Sequence, residues 1–240
     1  MPNNKIQNSP EFIPPRAGGA GGKTLGLVHT SATLVPVFAE LCSKYLPHVK
    51  TFNIVDDSLI KNTIAAGKLM PDTARRVVNY AGSAQDAGAD YILFTCSSIG
   101  PAVEAAAALT KVPVLRVDQP MADKAVQMGK KIGVIATLST TLEPTSDLVK
   151  RRAAVAGKDI VLVSKLCEGA FDALMSGDAA THDKKVGDAL KQLVNEVDVI
   201  VLAQASMARV VDTLSEADRK VPILASPPVA MEYLATILNP

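Results

Sequence analysis

The chain alternates short runs of apolar, often β-branched residues with longer stretches whose apolar positions recur every three or four residues. Eight runs predict strands, at 25–29 (LGLVH), 49–55, 91–95 and 112–117, then at 131–136, 160–163, 199–203 and 221–225. Between them, Leu34, Val37, Phe38 and Leu41, and later Val186, Leu190, Leu193 and Val194, fall at helical spacing. Strand runs that are apolar throughout and separated by helices belong to parallel sheets covered on both faces. The pattern therefore predicts an α/β fold.

The two sets of strands repeat one another in order. LGLVHT at 25–30 matches IGVIAT at 132–137, an offset of 107. DYILFTCSSIG at 90–100 matches DVIVLAQASMA at 198–208, an offset of 108, and KVPVL at 111–115 matches KVPIL at 220–224, an offset of 109. Three matches in one order at nearly one offset indicate an internal duplication: two pseudo-symmetric lobes, 24–120 and 121–240, each a parallel sheet flanked by helices. The C-terminal helix is expected to cross back onto the first lobe. Residues 1–23, rich in Pro, Gly and Asn, read as an N-terminal arm.

Composition narrows the function. Lys plus Arg number 25 against 24 Asp plus Glu, and aromatics make up 4% with no Trp. Nucleic-acid binding needs clustered base or stacking platforms, and neither is present. No apolar run approaches the roughly 18 residues of a membrane span, and the N-terminus has no apolar signal-peptide core. The three cysteines, Cys42, Cys96 and Cys167, are widely spaced without a C-x-x-C, which argues against a disulfide framework and a zinc site. A cytoplasmic setting is expected. No G-x-G-x-x-G follows a strand, which argues against a dinucleotide fold.

In open parallel sheets, ligands bind beyond the carboxyl ends of the strands. That rule selects four loops: His29 to Thr33, Cys96 to Gly100, Thr137 to Thr141, and Gln204 to Met207. All are dense in small hydroxyl residues, and each precedes a predicted helix, so backbone amides converge on a space suited to a small anion such as a carboxylate. Cys96 follows a strand directly and precedes Ser97 and Ser98. A helix start lowers a thiol's pKa, so Cys96 is expected to ionise below about 8.5 and to react before Cys42 and Cys167, both expected in the core. His48 and His182, in polar surroundings, are expected at the surface, and Arg209 on a helix surface. Arg116 ends its strand, where a reach toward substrate or a partner subunit is not favoured.

With these residues in hand, the chain over 24–240 resembles the aspartate/glutamate racemase superfamily, which includes hydantoin racemases, maleate isomerases and arylmalonate decarboxylases. The resemblance rests on the duplication, the strand–Cys–Ser–Ser loop at 95–98, its counterpart at 203–207, LVHTSATLVPVF at 27–38 and EGAFDAL at 168–174. It implies an active site between facing lobes, a small carboxylic-acid substrate, no metal or organic cofactor, and a homodimer or larger assembly. Carried over by position, Cys96 is the catalytic thiol, and His29 orients it or shuttles its proton. Glu168 assists from the second lobe, or serves only as a carboxylate at a helix start. Thr30, Ser31, Ser97, Ser98, Thr137, Thr140, Thr141, Ala205 and Ser206 line the substrate site.

One departure matters. Racemases of the superfamily carry a second thiol in the second lobe, and that position here holds Gln204. An amide donates and accepts hydrogen bonds but abstracts no proton. The expected function is therefore an isomerase acting at the carbon α to a carboxylate through one thiol, with Gln204 orienting a polar group of the substrate. A single-thiol decarboxylase or other lyase is the alternative, and a non-catalytic carboxylate-binding protein the third.

Overall fold

Each of the eight apolar runs forms a strand, and the strands assemble into two sheets of one design. The computed structural model describes residues 22–238. The first half runs β1 (Thr24–His29), α1 (Leu34–Tyr45), β2 (Lys50–Val55), α2 (Ser58–Ala66), α3 (Pro71–Asp86), β3 (Tyr91–Phe94), α4 (Gly100–Ala107) and β4 (Val114–Arg116). Helix α5 (Gln119–Met128) leads into β5 (Lys131–Ala136), α6 (Ser139–Val155), β6 (Val161–Leu166), α7 (Ala170–Met175) and α8 (Ala179–Leu193). The chain ends with β7 (Val199–Leu202), α9 (Ala208–Thr213), β8 (Ile223–Ala225) and α10 (Ser226–Leu238). The expected N-terminal arm lies, except for Gly22 and Lys23, outside the described residues. No described helix is long and apolar enough to cross a membrane.

The strand orders are β2-β1-β3-β4 and β6-β5-β7-β8, and every pair is parallel. The register is copied along with the order: Leu25 faces Tyr91 in the first sheet, and their counterparts Ile132 and Val199 face each other in the second. Alternate residues serve opposite faces. In the first sheet Leu25, Leu27 and Leu93 pack on Phe38 and Cys42 of α1, while Val28, Ile92 and Phe94 pack on Val77 and Ala81 of α3 and Val103 of α4. In the second, Ile132, Val134 and Val201 meet α5 and α6, and Ile135, Ile200 and Leu202 meet α8 and α9.

Helix α10 follows the last strand of the second sheet, yet Met231, Leu234 and Leu238 are buried in the core of the first, beside α1. Lys23 Nζ donates to the Ile237 carbonyl at 3.2 Å, closing the same seam.

Strand ends differ from the sequence reading where edges intervene. Strand β6 runs on to Leu166, past the predicted stop at 163, through the exposed Ser164 and Lys165. It is an edge strand with an open side, so its apolar signal lapses before its ladder does. Strands β4 and β8 start two residues later than predicted. Pro113 and Pro222 contribute only carbonyls to the ladder, accepting from Ile92 and Ile200, because proline has no N–H to donate.

Candidate active site

In both sheets the chain lays the second strand on one side of the first and the third strand on the other. The crevice this opens, between β1 and β3 and between β5 and β7, is where an open parallel sheet receives ligands. The residues just past these strands are Thr30 and Cys96 in one lobe and Thr137 and Gln204 in the other.

Cys96 and Gln204 occupy equivalent positions. Cys96 has φ −136°, ψ 125° and opens a 3-10 turn, Ser97–Ile99, that runs into α4. Gln204 has φ −136°, ψ 140° and opens the matching turn, Ala205–Met207, that runs into α9. The duplication therefore extends to the backbone that aims these side chains. Both residues are partly open to solvent.

The two loops converge on the first turn of α6. Ser98 Oγ lies 2.9 Å from Thr141 Oγ1, a buried hydroxyl pair across the lobes. Gln204 Oε1 accepts from the Thr137 amide at 2.6 Å and from Thr137 Oγ1 at 2.8 Å. That carboxamide is thereby fixed, with its NH2 group unpaired among the described residues. Between Thr137 and Thr141, α6 begins at Ser139, after Leu138, without a side-chain cap. The amides of Ser139 and Thr140 have no acceptor among the described residues, whereas Thr141 and Leu142 already donate to the Leu138 carbonyl, and the Thr140 hydroxyl is buried without a partner. Uncapped amides and an unpaired hydroxyl at a helix N-terminus form a cradle for a carboxylate.

The thiol differs from the sequence expectation. Burial pushes the Cys96 thiol up, against donation from the Thr30 hydroxyl and from the hydroxyl and amide of Ser98 and the amide of Ile99. No cation is among the groups that shift it, and a single 3-10 turn does not outweigh the lost hydration. The raised pKa favours the protonated thiol near neutral pH, while the Thr30, Ser98 and Ile99 donors favour its anion. Cys42 and Cys167 are buried, and burial pushes each up to about 11. Iodoacetamide is expected to modify Cys96 first, as the most accessible of the three. Its rate should climb through the alkaline range, followed peptide by peptide; a rate already level at pH 7 contradicts a raised thiol.

The other predicted residues separate. Thr30, Ser97 and Ser98 are buried around the thiol. Ser31 pairs with Thr33 at 2.8 Å in an exposed turn, and Ala205 and Ser206 are partly exposed beside Gln204. His29 does not hold the thiol. Its Nδ1 lies 2.9 Å from Thr95 Oγ1 and its Nε2 2.9 Å from Asn53 Oδ1, so both ring nitrogens are engaged within the lobe. Burial lowers its pKa, which keeps the ring neutral. Glu168 is exposed at the end of β6, a strand separated from β7 by β5, and its carbonyl accepts from Lys185.

His182, expected at the surface, is fully buried: it continues the inward stripe of Val186 and Leu190 on α8. Arg209 is exposed and pairs with Asp183 at 2.7 Å. Arg116 is buried in an ion pair with Asp118 at 2.8 Å. Among the described residues no three His, Cys, Asp or Glu side chains cluster as a metal site requires.

Sequence reasoning missed Asp56, just past β2. Its carboxylate accepts from Tyr80 Oη at 2.7 Å, from Ser58 Oγ at 2.7 Å and from Arg76. These bonds more than offset its burial and hold its pKa low. They anchor the start of α2, which packs against the turn after Cys96. Asp56→Asn should cost about 2–3 kcal/mol, the scale of charged hydrogen bonds in a partly buried network. Because the folded pKa is depressed, the contribution is present above the ordinary Asp range and fades as pH falls through the folded value. Wild type and variant should therefore converge in Tm under strong acid, and a constant gap would contradict this account.

Comparison with known proteins agrees with this architecture. The family model described as Asp/Glu/Hydantoin racemase matches residues 25–234. No curated protein matches the sequence. Among solved structures, a glutamate racemase from Bacillus anthracis superposes with a TM-score of 0.68 at 19% identity, covering 91% of this chain and 82% of that one. An aspartate racemase from Picrophilus torridus gives 0.68 at 17% identity, covering 90% and 95%. An allantoin racemase from Klebsiella pneumoniae gives 0.65 at 14% identity, covering 91% and 88%. The matched span takes in both sheets and both halves of the crevice, and the chain belongs to the Asp/Glu/Hydantoin racemase family.

Proposed function

We propose that this protein is a cofactor-independent isomerase that moves a proton at the carbon α to the carboxylate of a small organic or amino acid, using Cys96 as its single thiol. The observation that carries the reading is the convergence of the Cys96 and Gln204 turns on the uncapped start of α6. The substrate carboxylate sits on the amides of Ser139 and Thr140 and on the Thr140 hydroxyl. As the α-proton leaves for the Cys96 thiolate, negative charge builds on the carboxylate oxygens, where these preorganised donors act most strongly. Donors from Thr30, Ser98 and Ile99 stabilise the thiolate that takes the proton. The thiol then returns the proton, in most turnovers to the face it left, giving exchange alone, and to the other face when the enediolate turns over before reprotonation, giving the isomer. The Gln204 NH2 group orients a polar substituent from the opposite side. His29 supports the loop through Thr95 rather than touching substrate, and Glu168 stays outside the reaction.

A lyase reading is favoured by the burial around Cys96, which raises the thiol's pKa and favours its protonated form. Loss of CO2 generates the same enediolate without a base, and a protonated Cys96 supplies the proton that carbon needs, regaining one from water.

The deciding experiment incubates the protein in D2O with small 2-amino, 2-hydroxy and dicarboxylic acids. Deuterium appearing at the α-carbon without loss of mass supports the isomerase, and release of CO2 supports the lyase. Binding without either, equally strong in Cys96→Ser, overturns catalysis in favour of a binding protein.

A further inference from the structure

A buried guanidinium lies beneath the loop that carries the thiol. Arg116 ends β4 with a side chain 2% exposed. Its Nε and Nη2 donate to the two oxygens of Asp118 at 2.9 and 2.8 Å, a bidentate fork on a carboxylate that is itself fully enclosed. Its Nη1 pairs with Glu104 on α4. The planar group is pressed against the backbone of Gly100, the first residue of α4. A Cβ there would come within 2.6 Å of Arg116 Nε and closer still to Cζ. Gly100 follows Ile99, whose amide, with that of Ser98, lies on the side of the Cys96 sulfur and favours its anion.

The support does not end in one lobe. Glu104 Oε1 also accepts from Arg151 on α6 at 2.9 Å, and Arg151 is held by Asp147 at 2.7 Å. Thus one carboxylate joins the fork under the thiol loop to the helix whose first turn meets Ser98. A buried cation with this geometry costs desolvation, and isolated burial of such a pair is a poor source of stability. Its planarity and fixed donor directions make it a good spacer.

We propose that Arg116 is a positioning residue for the Cys96 loop: its guanidinium, fixed by Asp118 and Glu104, sets the height of the Ser97–Gly100 turn and so keeps the Ser98 and Ile99 amides on the sulfur. This deepens the proposed function and rests on Cys96 being the proton-transfer thiol. Arg116 does not touch substrate. Gly100 is required because only a residue without Cβ lets the backbone lie on the guanidinium.

The test is the titration of Cys96, read from the pH dependence of its alkylation by peptide mass spectrometry, in wild type, Arg116→Lys and Gly100→Ala. Lysine keeps the buried charge opposite Asp118, so the fold survives, but an ammonium cannot form the flat fork. The turn then settles into the vacated space, the amides draw away while the burial around the sulfur is unchanged, and the apparent thiol pKa rises. A rise of about one unit, a tenfold loss of thiolate at fixed pH, is expected, with a comparable loss of α-deuterium exchange. Gly100→Ala displaces the same turn with all ion-pair partners retained, and should also move the titration.

A lower Tm with an unchanged Cys96 titration in both variants would mean that Arg116 is structural only, and overturns the inference. If wild type exchanges no acid at all, the proposed function fails on its own, while the titration still decides whether Arg116 sets the loop.

Discussion

Replacing Cys96 by Ser should lower α-deuterium incorporation by at least about 10³-fold, within the range expected when an acid–base group is lost. The substitution is nearly isosteric. It keeps an acceptor where Thr30, Ser98 and Ile99 donate, so the loop remains satisfied and the fold intact. What changes is acidity: a hydroxyl in this enclosed position is a far weaker acid than a thiol and cannot yield a base near neutral pH. Substrate affinity should change little, because the carboxylate is held on α6 rather than by the sulfur. The loss therefore belongs in kcat, not KM, the mark of an interaction made only in the transition state. Cys42→Ala and Cys167→Ala, both buried in hydrophobic cores, serve as controls expected to retain exchange. A Cys96→Ser enzyme that exchanges at the wild-type rate would remove the thiol from the chemistry.

The pH profile of the wild type carries the same information. With the thiol raised by burial, the ionised fraction at pH 7 is small and grows with pH. Exchange should rise through the alkaline range, whereas a decarboxylation that consumes the protonated thiol should fall there. The direction of the profile thus separates the two readings of one residue.

How much of this was legible in the sequence depends on whether each property is local. Parallel strands buried on both faces are apolar without interruption, so runs such as Ile132–Ala136 and Val199–Leu202 announce themselves. The duplication was legible because buried strands tolerate few residue types. The loops were legible because strand ends select them. The end of β6 was not, since an edge strand can continue through Ser164 and Lys165 without any apolar signal. His182 misled because its sequence neighbours, Thr181 and Asp183, are polar; only its spacing to Val186 and Leu190 gave away the buried stripe.

Pairings across long sequence separation were invisible. Nothing in the local sequence sends His29 to Asn53 rather than to the thiol, or joins Ser98 to Thr141. The thiol's pKa was misjudged for the same reason. The helix start is local and legible, whereas the protein that encloses the sulfur comes from the whole fold and outweighs it.

Gln204→Cys should convert a one-sided proton exchange into a two-sided one. On the proposed mechanism a single thiol in wild type removes and returns protons mostly on one face, so deuterium should enter faster than configuration inverts. A thiol at 204 stands on backbone of nearly the same conformation as Cys96, in the symmetric turn, with the same helix start between them. On the proposed geometry it would supply a donor to the other face of the substrate carbon. Acid–base groups of this kind contribute roughly 10²–10⁴-fold, so the ratio of inversion to exchange should rise by at least about 10².

The substitution also has a cost. Gln204 Oε1 holds both the amide and the hydroxyl of Thr137, and losing two hydrogen bonds loosens the cradle. Gln204→Ala loses the same bonds without gaining a thiol, so total exchange should weaken alike in both variants while inversion rises in the Cys variant alone. Polarimetry of the recovered acid, set against deuterium content from the same sample, gives the ratio directly. If Gln204→Cys and Gln204→Ala invert to the same extent, position 204 does not face the substrate carbon opposite Cys96. The single-thiol account would then lose its explanation for what the glutamine replaced.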